Sequence, residues 1–96
     1  MTAEFSRRAR RDLEEIFDYI AIEDPAAARR VIDAILQTAD LLAARPHIGI
    51  RNARSLNLRS FRVSRYPYRL HYMIRERRVV IVHIRHAARQ LWSGSR

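Results

Sequence analysis

The sequence predicts an α+β domain in which a helical hairpin covers one face of an antiparallel sheet, and three observations carry that prediction. Apolar residues recur at helical spacing in two stretches, 9–20 and 28–43, joined by a very short link at Asp24-Pro25. Phe61 to Arg75 alternates apolar and polar positions with the period of a half-buried strand. Val79 to Ile84 is apolar at nearly every position and mostly β-branched, as in an inner strand covered on parts of both faces.

Met1 to Phe5 is short but suits a brief edge strand once the later sheet is granted. Ser6 is placed to cap a helix, and Ala9, Leu13, Ile16, Phe17 and Ile20 then form one stripe, with Asp12, Glu14, Glu15 and Asp18 on the other faces; the helix is expected to run to about Glu23. Asp24 as N-cap and Pro25 at the first helical position start a second helix. Its stripe of Ala28, Val31, Ile32, Ile35, Ala39, Leu42 and Ala43 ends at Arg45-Pro46. The link is too short for anything but an antiparallel pair, and the stripes must cover the sheet. Residues 47–59 have no clean period and read as a connecting loop. Three antiparallel strands come next, with Glu76-Arg77 at a tight turn and Val80, Val82 and Ile84 expected in the core.

Ninety-six residues make one domain, 1–96, with room for a single core. The chain has no cysteine, which removes disulfides and thiolate metal sites and is compatible with a reducing cytoplasm. No stretch approaches a membrane span or a secretory leader, so a cytoplasmic protein is expected. The net charge of +9 is lopsided: residues 1–46 hold seven arginines against nine acids, and residues 47–96 hold twelve arginines against Glu76 alone. A surface of that kind attracts nucleic acid or an acidic protein segment, and charge alone does not choose between them. All nineteen basic residues are arginine, whose planar fork suits carboxylates and phosphates, although codon bias produces the same composition.

The segments SRRARRDLEEIFDYIAIEDPAAARRVIDAI, RPHIGIRNARSLNLRSFRVSRYPYRLHYMI and VVIVHIRHAARQ stand in the order found in the ParE/RelE superfamily of bacterial toxins, and the chain resembles that family over nearly its whole length. The helix DLEEIFDYI, and the pairing of a Y-R-L-x-Y strand with one ending in I-x-H-A-x-R-Q, look most like the ParE branch. The resemblance implies a β-α-α-β-β-β toxin domain of a type II toxin–antitoxin, plasmid-stabilisation-type module. It implies a hetero-oligomeric complex with a ParD-like antitoxin bearing an acidic amphipathic segment, and DNA gyrase as target. It implies no cofactor. The RelE branch instead cleaves messenger RNA on the ribosome, and an inactivated toxin or a basic nucleic-acid-binding module is a further alternative.

Cleavage at a ribose 2′-hydroxyl needs a base, an acid and cations on the phosphorane. Arg69 falls where the ribonuclease branch carries a functional arginine, and Arg62, His86 and Arg89 complete the set that such a reaction would use. The pattern lacks the lysines and the C-terminal tyrosine of that branch; Trp92 can stack on a base but cannot transfer a proton. A stoichiometric, non-enzymatic toxin is therefore expected, with His83, Arg85, His86, Arg89 and Trp92 facing the target. Arg7, Arg8, Arg10 and Arg11, with Arg59, Arg62 and Arg65, are expected to meet the antitoxin. The plainer readings are solvated helix arginines, Arg69 paired with a helix carboxylate such as Asp18, and Tyr66, Tyr68 and Tyr72 as strand residues rather than base-stacking platforms. His83 and His86 would lie on opposite strand faces, a poor zinc geometry, so no metal site is expected.

Overall fold

A computed structural model describes residues 3–55 and 57–87. In chain order it contains β1 (Ala3–Phe5), α1 (Arg7–Ala21), α2 (Pro25–Ala44), β2 (Ile50–Arg51), β3 (Leu58–Arg62), β4 (Tyr68–Arg75) and β5 (Arg78–His86). The strands form one sheet in the order β1-β5-β4-β3-β2. The expected three antiparallel strands are there, flanked by two short ones: β1 lies parallel to β5, and β2 adds antiparallel to β3 from within the stretch expected to be loop. Two residues cannot announce themselves by periodicity; β3 supplies the ladder that makes them a strand.

Both helices begin where their caps place them. Ser6 Oγ accepts from Ala9 N–H at 3.1 Å, and an Asp24 carboxylate oxygen accepts from Ala27 N–H at 3.0 Å, each satisfying a donor that the first turn leaves without a partner. α1 ends at Ala21, two residues short of the expected boundary. The hairpin buries Ala9 and Ile16 from α1 and Ala28, Val31, Ile35, Thr38, Ala39, Leu42 and Ala43 from α2. Thr38 is tolerated there because its hydroxyl donates to Ala34 O at 2.8 Å. Against this stripe the sheet sets Val63, Tyr68, Leu70, Tyr72, Val79, Ile81 and Ile84.

The core positions of β5 correct the expectation of Val80, Val82 and Ile84. Ile84 is buried, but Val79 and Ile81 take the other two places, and Val80 and Val82 are only half-buried. The reason is a bulge: His71 pairs with His83 and its neighbour Tyr72 pairs with Ile81, so Val82 is an extra residue. Before it, odd-numbered residues face the helices; after it, even-numbered ones do. A run that is apolar throughout carries no phase, so the alternation could not be read from it.

β1 covers β5 only over Val79 to Ile81, and α1 covers the strand beyond that point. Ser6 N–H donates to Ile81 O at 2.9 Å and Ser6 Oγ donates to Val82 O at 3.0 Å. Asp12 Oδ2 accepts from Ile84 N–H at 2.9 Å. Strand pairing is thus replaced, residue by residue, by bonds from the start of α1. No helix of the described residues is long and apolar enough to cross a membrane.

Candidate partner-binding site: the open basic sheet face

The helices cover one face of the sheet, and the strand register determines what stands on the other. Arg62 pairs with Arg69 and Arg69 with Arg85, giving three arginines directly opposite one another across β3, β4 and β5. The next row is Ser60, His71 and His83, and beyond it lie Leu58, Met73 and Val80, then Arg75 opposite Arg78. Like charges in cross-strand register are destabilising, and nothing in the fold requires them there. Arg69 Nη1 donates to Ser60 Oγ at 2.8 Å, which corrects the pairing with Asp18; that carboxylate is exposed on α1. Among the described residues, no carboxylate lies within ion-pair distance of Arg62, Arg69 or Arg85. Arg78 does have one, donating to Glu4 at 2.7 Å on the same face.

His83 stands at the border between this face and α1. Its Nδ1 is 2.6 Å from Asp12 Oδ2, and its Nε2 is 3.4 Å from Arg8 Nη2. The side chains of His83 and Asp12 are only 23% and 14% exposed. Since arginine can only donate, Nε2 accepts and the proton on Nδ1 goes to Asp12; the tautomer follows from that network. The His71 ring is stacked beside His83 at 6.1 Å between centroids. Asp12, read from the sequence as one of several solvent-facing helix acids, is the residue the pattern missed. Its partner is 71 positions away, and helical periodicity says nothing of contacts at that range.

The expected sites are only partly assembled. His83 and Arg85 share the open face, whereas His86 is opposite Tyr68 on the helix side, its ring edge-on to that tyrosine at 5.2 Å. His83 and His86 thus occupy opposite faces, and the described residues contain no group of three or more side chains able to hold a metal ion. Arg89 and Trp92 lie outside the described residues. Arg7, Arg8, Arg10 and Arg11 are exposed on α1, but the other arginines grouped with them are scattered. Arg59 is opposite Tyr72 on the helix side and donates to His47 O and Gly49 O, pinning the loop before β2. Arg65 sits in the β3–β4 turn with φ 75°, and Arg62 is on the open face. Tyr68 and Tyr72 are core residues and Tyr66 is partly buried against the core cluster, so none of the three is a platform on the open face. Burial pushes the Tyr72 hydroxyl above its ordinary pKa, outweighing the lowering effects of the Gly49 N–H bond and the nearby Arg59 charge.

A two-helix hairpin on one face of a five-stranded sheet, with arginine rows on the other, defines a small α+β domain with one open, basic face. Comparison with known proteins gives it a family: residues 3–91 match the family described as the ParE toxin of the type II toxin–antitoxin system parDE. The chain belongs to the ParE/RelE toxin superfamily, and its fold is the one found there. It is similar to Toxin RelE3 of Caulobacter vibrioides, 39% identical over 88 residues, which are 90% of this chain and 94% of that one. A chain of the chromosomal ParDE toxin–antitoxin system of P. aeruginosa superposes with a TM-score of 0.75 at 22% identity, covering 90% of this chain and 95% of that one. A chain of the RelBE2 toxin–antitoxin complex of Mycobacterium tuberculosis does so at 0.67 and 30% identity, covering 88% and 95%.

Proposed function

We propose that this toxin acts stoichiometrically, gripping DNA gyrase with its open sheet face, and that a cognate ParD-like antitoxin neutralises it in a hetero-oligomeric complex in the cytoplasm. The observation behind this reading is the make-up of the face: arginine forks alternate with the apolar row Leu58, Met73 and Val80, while Tyr68 and Tyr72 are turned into the core. Mixed apolar and arginine rows suit a protein surface, since arginine and buried apolar anchors dominate binding at such interfaces. Base-stacking aromatics, which nucleic-acid grooves use, are on the wrong side. A supercoiling assay on purified toxin, run beside translation-coupled cleavage of messenger RNA, tests this. Inhibited supercoiling with intact RNA is the expected result.

A second reading has its own observation. Asp12 holds His83 as a carboxylate holds a general base, and Arg85 stands two residues on, cross-strand from Arg69. That is a proton acceptor beside cations, the minimum for attack of a 2′-hydroxyl on its phosphate. RNA cleavage abolished by Arg69→Ala, with supercoiling untouched, establishes this reading and overturns the first.

A further inference from the structure

The end of α1 and its link to α2 carry the most exposed large apolar side chains among the described residues: Tyr19 is 74% and Ile22 is 82% exposed. With Glu23 and Asp24 they line one cleft of about 360 Å³ at the tip of the hairpin. No basic residue interrupts the stretch 12–28, which holds Asp12, Glu14, Glu15, Asp18, Glu23 and Asp24. The last turn of α1 has no cation to offset its negative helix end, and among the described residues only Asp12 of these six has an ion-pair partner. The tip is thus an apolar pair ringed by negative charge that the fold leaves without counter-charges. We propose that it docks on the open sheet face of a second copy of this chain, and that two copies do so reciprocally, as a two-fold pair.

The face complements the tip in both respects. Arg62, Arg69 and Arg85 supply three positive charges in one row, with no carboxylate in ion-pair distance among the described residues. Ile50 is opposite Ser60 in register, so β2 adds a side chain 67% exposed beside the apolar row of Leu58, Met73 and Val80. Cations and apolar surface together are what an acidic tip with two apolar anchors fits. A nucleic acid would suit the arginines, but the tip repels phosphates; a second copy satisfies both surfaces at once. Tyr19 and Arg85 line a single cleft, so tip and arginine row are neighbours at one end of the sheet. A two-fold axis beside that end sets each tip over the other copy's face, and the pair closes at two copies.

Such an interface has few anchors and solvent-exposed charges, which places it among weak, salt-sensitive associations. It covers Arg62 and Arg69, so a paired toxin has no arginine row to offer a target. The pairing itself assumes nothing about that target: a gyrase inhibitor and a ribonuclease would be masked alike.

Sedimentation equilibrium of the purified full chain, free of antitoxin, tests the pair. Expected is a monomer–dimer equilibrium with a dissociation constant on the order of 10 µM in about 50 mM sodium chloride, weakened about tenfold in about 500 mM. Asp18→Arg with Glu23→Arg puts cations at the end of α1, where the helix dipole favours them, and Arg62→Glu with Arg85→Glu gives an alternating Glu-Arg-Glu row. Both variants should melt no lower than the wild type and sediment as monomers. Mixed one to one, they should associate again, because the reversed tip meets the reversed face and the native tip meets the native face. Tyr19→Ser with Ile22→Ser, both exposed, should weaken pairing about tenfold. A wild type that stays monomeric at about 500 µM, reversed variants that still pair alone, or a mixture that stays monomeric would overturn the proposal. Open-ended assemblies in place of dimers would overturn the two-fold arrangement.

Discussion

The two faces of the sheet are built from the same three strands and obey different rules. On the helix side, Leu70, Tyr72 and Ile81 are fully buried, and each position is fixed by what it packs against. On the open side, Arg62, Arg69 and Arg85 are set in mutual register without a carboxylate in ion-pair distance among the described residues. One face stabilises the fold and the other is carried by it. Residues that the fold does not need, held in an arrangement that costs stability, are the ones whose purpose is sought outside the chain.

The contrast is sharpest in the core. Leu70→Ala or Ile81→Ala should cost about 2–5 kcal/mol in urea or thermal unfolding, whereas Met73→Ala, on the open face of the same strand as Leu70, should cost about 1 kcal/mol or less. Equal losses would erase the distinction between the faces.

Tyr72 extends the helix-side rule to the loop before β2. Its hydroxyl accepts from Gly49 N–H at 2.9 Å and donates to Pro46 O at 2.7 Å. A Cβ at Gly49 would stand 2.3 Å from that oxygen, so Gly49→Ala should cost about 1–3 kcal/mol. Tyr72→Phe leaves the buried Gly49 N–H without its acceptor and should cost a similar amount, about 1–3 kcal/mol. The sign of the pH effect is fixed by the raised pKa. The unfolded chain loses the Tyr72 proton first, near pH 10, so the stabilising contribution is complete below that pH and is lost as pH rises through the folded value. Unfolding curves from pH 8 to 11 should show this loss in the wild type and a smaller one in Tyr72→Phe.

The hairpin turn belongs to neither face. Glu76 and Arg77 have φ of 49° and 65°, the left-handed region that a type I′ turn requires and that side chains with a Cβ resist. Glu76→Asn with Arg77→Gly should stabilise the domain by about 1 kcal/mol without altering growth inhibition. The smallest effect on stability is expected on the open face: Arg62→Gln or Arg69→Gln should shift unfolding by about 0.5 kcal/mol or less, upward by relief of repulsion, while weakening growth inhibition in cells expressing the toxin alone. Full toxicity in both variants would move the working surface elsewhere.

Much of this architecture is legible in the sequence because it is written locally. Ser6, Asp24 and Pro25 mark helix starts by chemistry that acts within three residues, and the α2 stripe emerged with the membership expected, apart from half-buried Ile32 and the addition of Thr38. What was illegible is long-range. The phase of β5 hangs on one bulge at Val82, β2 exists only because β3 is beside it, and the grip of Asp12 on His83 needs the chain to fold before the two can meet. The candidate site divides the same way: arginine abundance was evident, but the row of Arg62, Arg69 and Arg85 is a product of register.

The covering of β5 by Ser6 and Asp12 also bears on how the chain behaves in a crowded cell. The outer strands β1 and β2 are three and two residues long, too short to template pairing with another molecule. Among the described residues the longest strand is β5, which β1 pairs only over Val79 to Ile81, and α1 lies against the rest of that side, fastened at Ile81, Val82 and Ile84. Detaching α1 would bare a β-branched, apolar edge of the kind that recruits copies of itself. Asp12 is thus a guard against self-association as well as a fastener, and its loss should appear as insoluble protein before it appears as a lower melting temperature.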